Sequence, residues 1–159
     1  MISFKQKRRL DKVNYEKIYV MHFEEETDRS KNNLVGKFHV KNSAQKMYEI
    51  SFFNDCDKAQ PTFKCSCPDN AKRGDNDKIV CKHICYLYLK VGRFFDLNFF
   101  RSNKLRKDQW GDMLCIARNL KNKNEYKEEY TIDEELRSIC DNVKLESVSD
   151  MNVNDPSIV

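Results

Sequence analysis

Alternation of apolar and polar positions is clearest in the first half of the chain. Phe38 and Val40 alternate with His39 and Lys41. After the polar turn Asn42-Ser-Ala-Gln the alternation resumes, with Tyr48, Ile50 and Phe52 set against Glu49 and Ser51. Period two across a short turn predicts a half-buried antiparallel hairpin. Upstream, residues 17–23 (Lys-Ile-Tyr-Val-Met-His-Phe) are rich in β-formers and predict a strand, followed by a polar loop from Glu24 to Asn33. Asp55-Cys56-Asp57 reads as a turn, and Thr62-Phe63-Lys64-Cys65 as a short extended segment. The basic stretch 5–12 reads as a helical turn or a loose arm.

From Cys81 onward the period changes. Ile84, Leu87, Tyr88 and Val91 fall at i, i+3, i+4 and i+7, one face of a helix, and Gly92 is placed to stop it. Trp110, Met113, Leu114 and Ala117 repeat the spacing and predict a helix over 108–120. Thr131 with Glu134 forms a capping box ahead of Leu136, Ile139, Cys140 and Val143, a further helix. The nearly apolar-free stretch Lys121 to Tyr130 reads as a linker, and the chain beyond about Ser147 as a flexible tail. The expected fold class is α+β: a small antiparallel sheet, a helix beside it, and C-terminal helices.

Charge adds an asymmetry to this picture. The 159-residue chain carries a net charge of only +4. Residues 58–107 hold twelve Lys and Arg against four Asp and Glu, a balance of +8, whereas residues 108–159 hold six against twelve, a balance of −6. A basic middle points to an anionic partner or to an acidic tail that screens it; solvated helix faces account for such charge equally well. No stretch approaches the ~18 apolar residues of a membrane span, and the start of the chain lacks the apolar core of a secretory signal. A cytoplasmic or nuclear location is expected, where seven cysteines stay reduced and favour metal over disulfides.

The chemistry concentrates in Cys65-Ser-Cys67-Pro68 and, with thirteen residues between Cys67 and Cys81, Cys81-Lys-His83. Three thiolates and an imidazole suit the tetrahedral preference of one Zn2+ per chain. Donors at i and i+2 converge where the chain is extended, not in a helix, where they point about 200° apart. Pro68 biases Cys67 toward extended geometry. Cys81-x-His83 is best placed at the entry to the following helix. In the intervening loop Gly74 can take a positive φ at the chain reversal. Lys64, Lys72, Arg73 and Lys82 offset the surplus negative charge of three thiolates on Zn2+. Cys85 reads as a packed small hydrophobe ahead of a spare ligand, Cys56, Cys115 and Cys140 as ordinary thiols, and His22 and His39 as structural.

Cys65-Ser-Cys67-Pro68-Asp69, Arg73-Gly74 and Cys81-Lys82-His83-Ile84 resemble the SWIM-type zinc finger, whose pattern is CxC, a variable loop, then CxH. Phe38-His-Val-Lys-Asn-Ser and Tyr48-Glu-Ile-Ser look like the strands that precede it. The resemblance spans about residues 34–95 and implies a ββα-like module with zinc held by Cys65, Cys67, Cys81 and His83. It divides the chain into an N-terminal arm and strand (1–33), the zinc module (34–95), a helical extension (96–146) and the tail (147–159). Family members bind DNA or protein. Ligase-type members, some from large DNA viruses, add a RING finger, but after His83 only Cys85, Cys115 and Cys140 remain here, too few for its ligands. The family's aromatic two residues after the Cys-Pro unit is replaced by Asn70.

The expected function is therefore zinc binding in a module that contacts nucleic acid or another protein, with no membrane and no small-molecule substrate. An adaptor role in ubiquitin ligation is the alternative, resting on family analogy. A thiol or redox enzyme competes less well, because a closed Cys3His site leaves no open position. Candidate partner contacts are Lys72, Arg73, Lys82, Lys90, Arg93, Arg101, Lys104, Arg106 and Lys107. Phe94, Phe95, Phe99 and Phe100, interleaved with them, stack on bases or close the core; four phenylalanines this close together usually point inward.

Overall fold

The computed structural model of the chain describes residues 2–28, 33–54, 63–69, 80–121 and 134–145. The fold is α+β. Four strands, β1 (Tyr19–Glu25), β2 (Leu34–Lys41), β3 (Met47–Phe53) and β4 (Phe63–Cys65), form an antiparallel sheet in the order β1-β2-β3-β4. The expected hairpin is β2–β3, paired Val40 to Tyr48 and Phe38 to Ile50. Asn42 closes its turn: the side-chain Oδ1 accepts the N–H of Ala44 and of Lys46, each at 3.0 Å. Phe38, Val40, Ile50, Phe52 and Phe63 are fully buried. Burial of each such side chain contributes about 1.5–3 kcal/mol. Between Val20 and His22 a bulge shifts the β1 register, which is why Val20 and Phe23, three apart, are both buried.

The stretch expected as a helical turn or a loose arm is a full helix, α1 (Phe4–Tyr15). Ser3 caps it, its hydroxyl accepting the N–H of Gln6 at 3.1 Å. Its buried face is Gln6, Arg9, Leu10, Val13 and Asn14. That is regular helical spacing, but three of the five positions are polar, so hydrophobic periodicity does not reveal it.

After Cys81 the chain enters α2 (Lys82–Tyr86), which loosens into one π-helical turn at Leu87–Val91. Ile84, Leu87, Tyr88 and Leu89 are fully buried and Val91 packs at the edge. Gly92 ends the helix as its C-cap, as expected, with a φ of −78° and so without a left-handed turn of its own. Arg93 takes the left-handed conformation instead, with φ 57°. Gly92 is required for space: a Cβ there would lie 2.6 Å from the Phe94 ring and 3.0 Å from the Met113 methyl. Three helices follow, α3 (Phe99–Ser102), α4 (Lys107–Lys121) and α5 (Glu134–Asp141). α4 packs on β1, and α1 packs on both α2 and α5. The expected cap Thr131, most of the expected linker and the expected tail lie outside the described residues.

Candidate metal centre

The two ligand pairs are positioned by different elements. Cys65 ends β4 opposite Ile50 of β3. Ser66, the spacer, is tied to β3 twice: its N–H donates to the Glu49 carbonyl at 2.9 Å, and its hydroxyl accepts the Glu49 N–H at 3.0 Å. This keeps the chain extended through Ser66, so Cys65 and Cys67 both point inward and Ser66 outward. A helical turn begins at Pro68, where a missing N–H costs nothing. Cys81 is extended (φ −66°, ψ 162°) immediately before α2, and His83 lies in its first turn. The Tyr48 ring, 4.8 Å from the His83 ring, supports the imidazole from β3.

These elements bring Cys65, Cys67, Cys81 and His83 into one buried group whose donor atoms all lie within 4.8 Å of one another. His83 Nδ1 is 3.8 Å from Cys65 Sγ. Zinc bonds of about 2.3 Å to sulfur and 2.0–2.1 Å to nitrogen at tetrahedral angles place such donors roughly 3.5–3.8 Å apart. The imidazole is only 3% exposed, and among the described residues its Nε2 has no hydrogen-bond partner and its Nδ1 faces only sulfur. A buried polar ring with neither nitrogen bonded to N or O is costly unless a cation takes one of them. Without a cation the group holds protons. Its hydrogen bond with Cys67 pushes the Cys65 thiol up to about 12, with burial adding to the effect. Burial, then the neighbouring sulfurs, push Cys81 well above its usual range. A bound metal reverses this, because a coordinating thiol is deprotonated outright. The donor set thus fits a metal ion.

That α1 braces this site is not visible in the hydrophobic pattern. Gln6 and Val80 are joined twice: Gln6 Nε2 donates to the Val80 carbonyl at 2.9 Å and Gln6 Oε1 accepts the Val80 N–H at 2.8 Å. Val80 immediately precedes Cys81. Arg9 donates to both carboxylate oxygens of Asp69, at 2.9 and 3.1 Å, and Asp69 follows Cys67 by two residues. Lys82, between Cys81 and His83, pairs with Glu16 at 2.5 Å. The available signal was Ser3-x-x-Gln6, a capping-box pattern, although the Gln6 side chain is spent on Val80. Cys85 is fully buried near Gln6 and the Val80 carbonyl, away from the metal donors, as a packed thiol should be.

The expected partner contacts divide. Lys72 and Arg73 lie outside the described residues, as does Cys56. Lys82 faces Glu16. Arg106 is exposed and shared between Asp96 at 2.6 Å and Asp108 at 3.2 Å. Arg93 sits over the Phe95 ring at 5.0 Å. Arg101, Lys104 and Lys107 are exposed, and Lys90 is half-buried. Phe99 and Phe100 are buried, with Tyr88 stacked on Phe99 at 3.9 Å, so these two close the core and cannot stack on bases.

No protein-family model, curated protein or solved structure matches this chain. Among the described residues no helix is long and apolar enough to cross a membrane.

Proposed function

We propose that this chain is a SWIM-type binding module that uses one structural Zn2+ and contacts nucleic acid. The observation that carries the reading is the buried group of Cys65, Cys67, Cys81 and His83. Three thiolates favour zinc over hard cations such as Mg2+ or Ca2+. Four protein donors fill a tetrahedron and leave no position for water or substrate, which supports a structural and non-catalytic ion. When bound, zinc supplies folding energy, roughly 10–16 kcal/mol in small finger peptides. Here it would tie the end of β4 to the start of α2.

The nucleic-acid part rests on the basic balance of residues 58–107 and on the exposed Arg101, Lys104 and Lys107. A cytoplasmic or nuclear location belongs to the same reading. The test is a salt titration of zinc-loaded protein against single- and double-stranded DNA and RNA. Binding whose affinity falls steeply with salt is expected. Absence of binding at low salt would overturn the nucleic-acid part and leave a protein partner, with ubiquitin-conjugating components the first to try in a pull-down.

A further inference from the structure

Beside the metal donors lies a cavity of about 270 Å³, set between α1, the β2–β3 hairpin and the start of α2. The metal donors Cys67 and His83 form part of its wall, and the rest includes Arg9, Lys12, Asn42, Tyr48, Asp69 and Lys82. Three of these are cations and one is an anion. The anion is occupied, since the Asp69 carboxylate accepts from Arg9 through both oxygens. The Asn42 amide is half spent. Oδ1 already accepts two backbone N–H groups, which leaves its Nδ2 with no hydrogen bond among the described residues. The Tyr48 ring is fixed against His83, and its hydroxyl makes no hydrogen bond among the described residues. Lys12 is exposed and has no ion pair among the described residues.

The unspent capacity of the wall is thus overwhelmingly that of donors, and its complement is an acceptor-rich anion. Lys12 comes from a helix, Asn42 from the hairpin turn and Tyr48 from the start of β3. Donors arriving from separate elements surround a volume instead of lying in one plane. That suits the four oxygens of a tetrahedral phosphate more than a flat carboxylate. Arg9 and Lys82 are compensated by Asp69 and Glu16, so Lys12 is the cation of the wall without a carboxylate partner among the described residues. Recognition here is short-range, by charge-assisted hydrogen bonds, and distinct from the diffuse basic surface around Arg101 to Lys107.

We propose that this cavity is an oxyanion site that takes one phosphate group through Lys12 Nζ, Asn42 Nδ2 and the Tyr48 hydroxyl, the phosphate coming from a nucleic-acid backbone. The source of the phosphate rests on the nucleic-acid reading above; the oxyanion site itself does not.

The experiment uses the full zinc-loaded chain, with zinc content measured on every sample. Inorganic phosphate is titrated into wild type, Lys12→Gln and Tyr48→Phe, followed by amide chemical shifts, and then competed against a single-stranded oligonucleotide. Tyr48→Phe keeps the ring on His83 and removes only the hydroxyl. Each variant is expected to weaken phosphate binding about tenfold at unchanged zinc content. In wild type, phosphate is expected to displace part of the oligonucleotide affinity. Wild type that does not bind phosphate, or variants that bind it equally well, would overturn the site. Oligonucleotide binding that is identical in all three proteins would remove this cavity from the interface while leaving the module reading intact. Phosphate binding without any oligonucleotide binding would support the oxyanion site and overturn its nucleic-acid source.

Discussion

Gln6 makes both backbone hydrogen bonds of Val80, as a neighbouring strand would, at 2.9 and 2.8 Å. Both residues are buried, at 2% exposure each. The N-terminal helix therefore sets where the chain re-enters the metal centre. Gln6→Ala leaves the buried Val80 N–H without a partner, at about 1–3 kcal/mol, and leaves its carbonyl with only the weak Cys85 thiol donor. The expected outcome is a lower melting temperature together with weaker zinc retention in a chelator competition, although no metal donor has been changed. Wild-type zinc retention in this variant would show that α1 only adds bulk stability.

Arg9 acts at the other end of the metal loop. Its guanidinium is largely buried and bidentate on Asp69, which is about one-third exposed. Arg9→Lys keeps the charge and loses the fork. A cost of about 1–2 kcal/mol is expected in a denaturant titration, less than for a fully buried pair because water screens Asp69. The double variant Arg9→Lys with Asp69→Asn should cost clearly less than the sum of the two singles; additive costs would mean the pair is not coupled.

Gly92→Ala places a methyl 2.6 Å from the Phe94 ring and 3.0 Å from Met113, within a packed contact between the end of the α2 helix and α4. A loss of about 1–3 kcal/mol is expected, as for other overpacked sites. Thermal unfolding measures it. An unchanged midpoint would mean that Phe94 swings away freely.

Tyr88 gives a pH dependence. Burial pushes its phenol up to about 12, with the Gln109 hydrogen bond opposing the shift. A folded value above the ordinary one of about 10 means that the unfolded chain loses its proton first. The contribution of this group is fully present below pH 10 and is lost as pH rises toward 12. Among the seven tyrosines of the chain, Tyr88 is expected to ionise late in a phenolate absorbance titration, coincident with alkaline unfolding. Tyr88→Phe should remove that late step; its persistence would assign the step elsewhere.

The parts of the molecule that sequence reveals are those whose signal is local. Alternation places Phe38, Val40, Ile50 and Phe52 inward in a hairpin, and the structure has them fully buried there. The spacing of Cys65, Cys67, Cys81 and His83 needs only an extended stretch and a helix entry to converge. The bracing helix could not be read this way. Its inner face includes Gln6, Arg9 and Asn14, and Gln6 and Arg9 find partners 74 and 60 residues away. Pattern reading treats such residues as surface. That Gly92 stops the helix is legible in the sequence, but the demand for a glycine there is not, because it comes from Phe94 and Met113 and not from its own φ. The basic run read as a unit is divided in space, because Arg106 turns to Asp96 and Asp108 while Phe99 and Phe100 go into the core.

Zinc per chain, measured by elemental analysis on the purified protein and on Cys67→Ser and His83→Ala, tests the central claim most directly. The expected result is one zinc in wild type and a large loss in both variants, with cooperative unfolding weakened around β4 and α2. Wild type purified without zinc that neither binds it nor gains stability from it, or variants that retain both zinc and native thermal unfolding, would contradict the account.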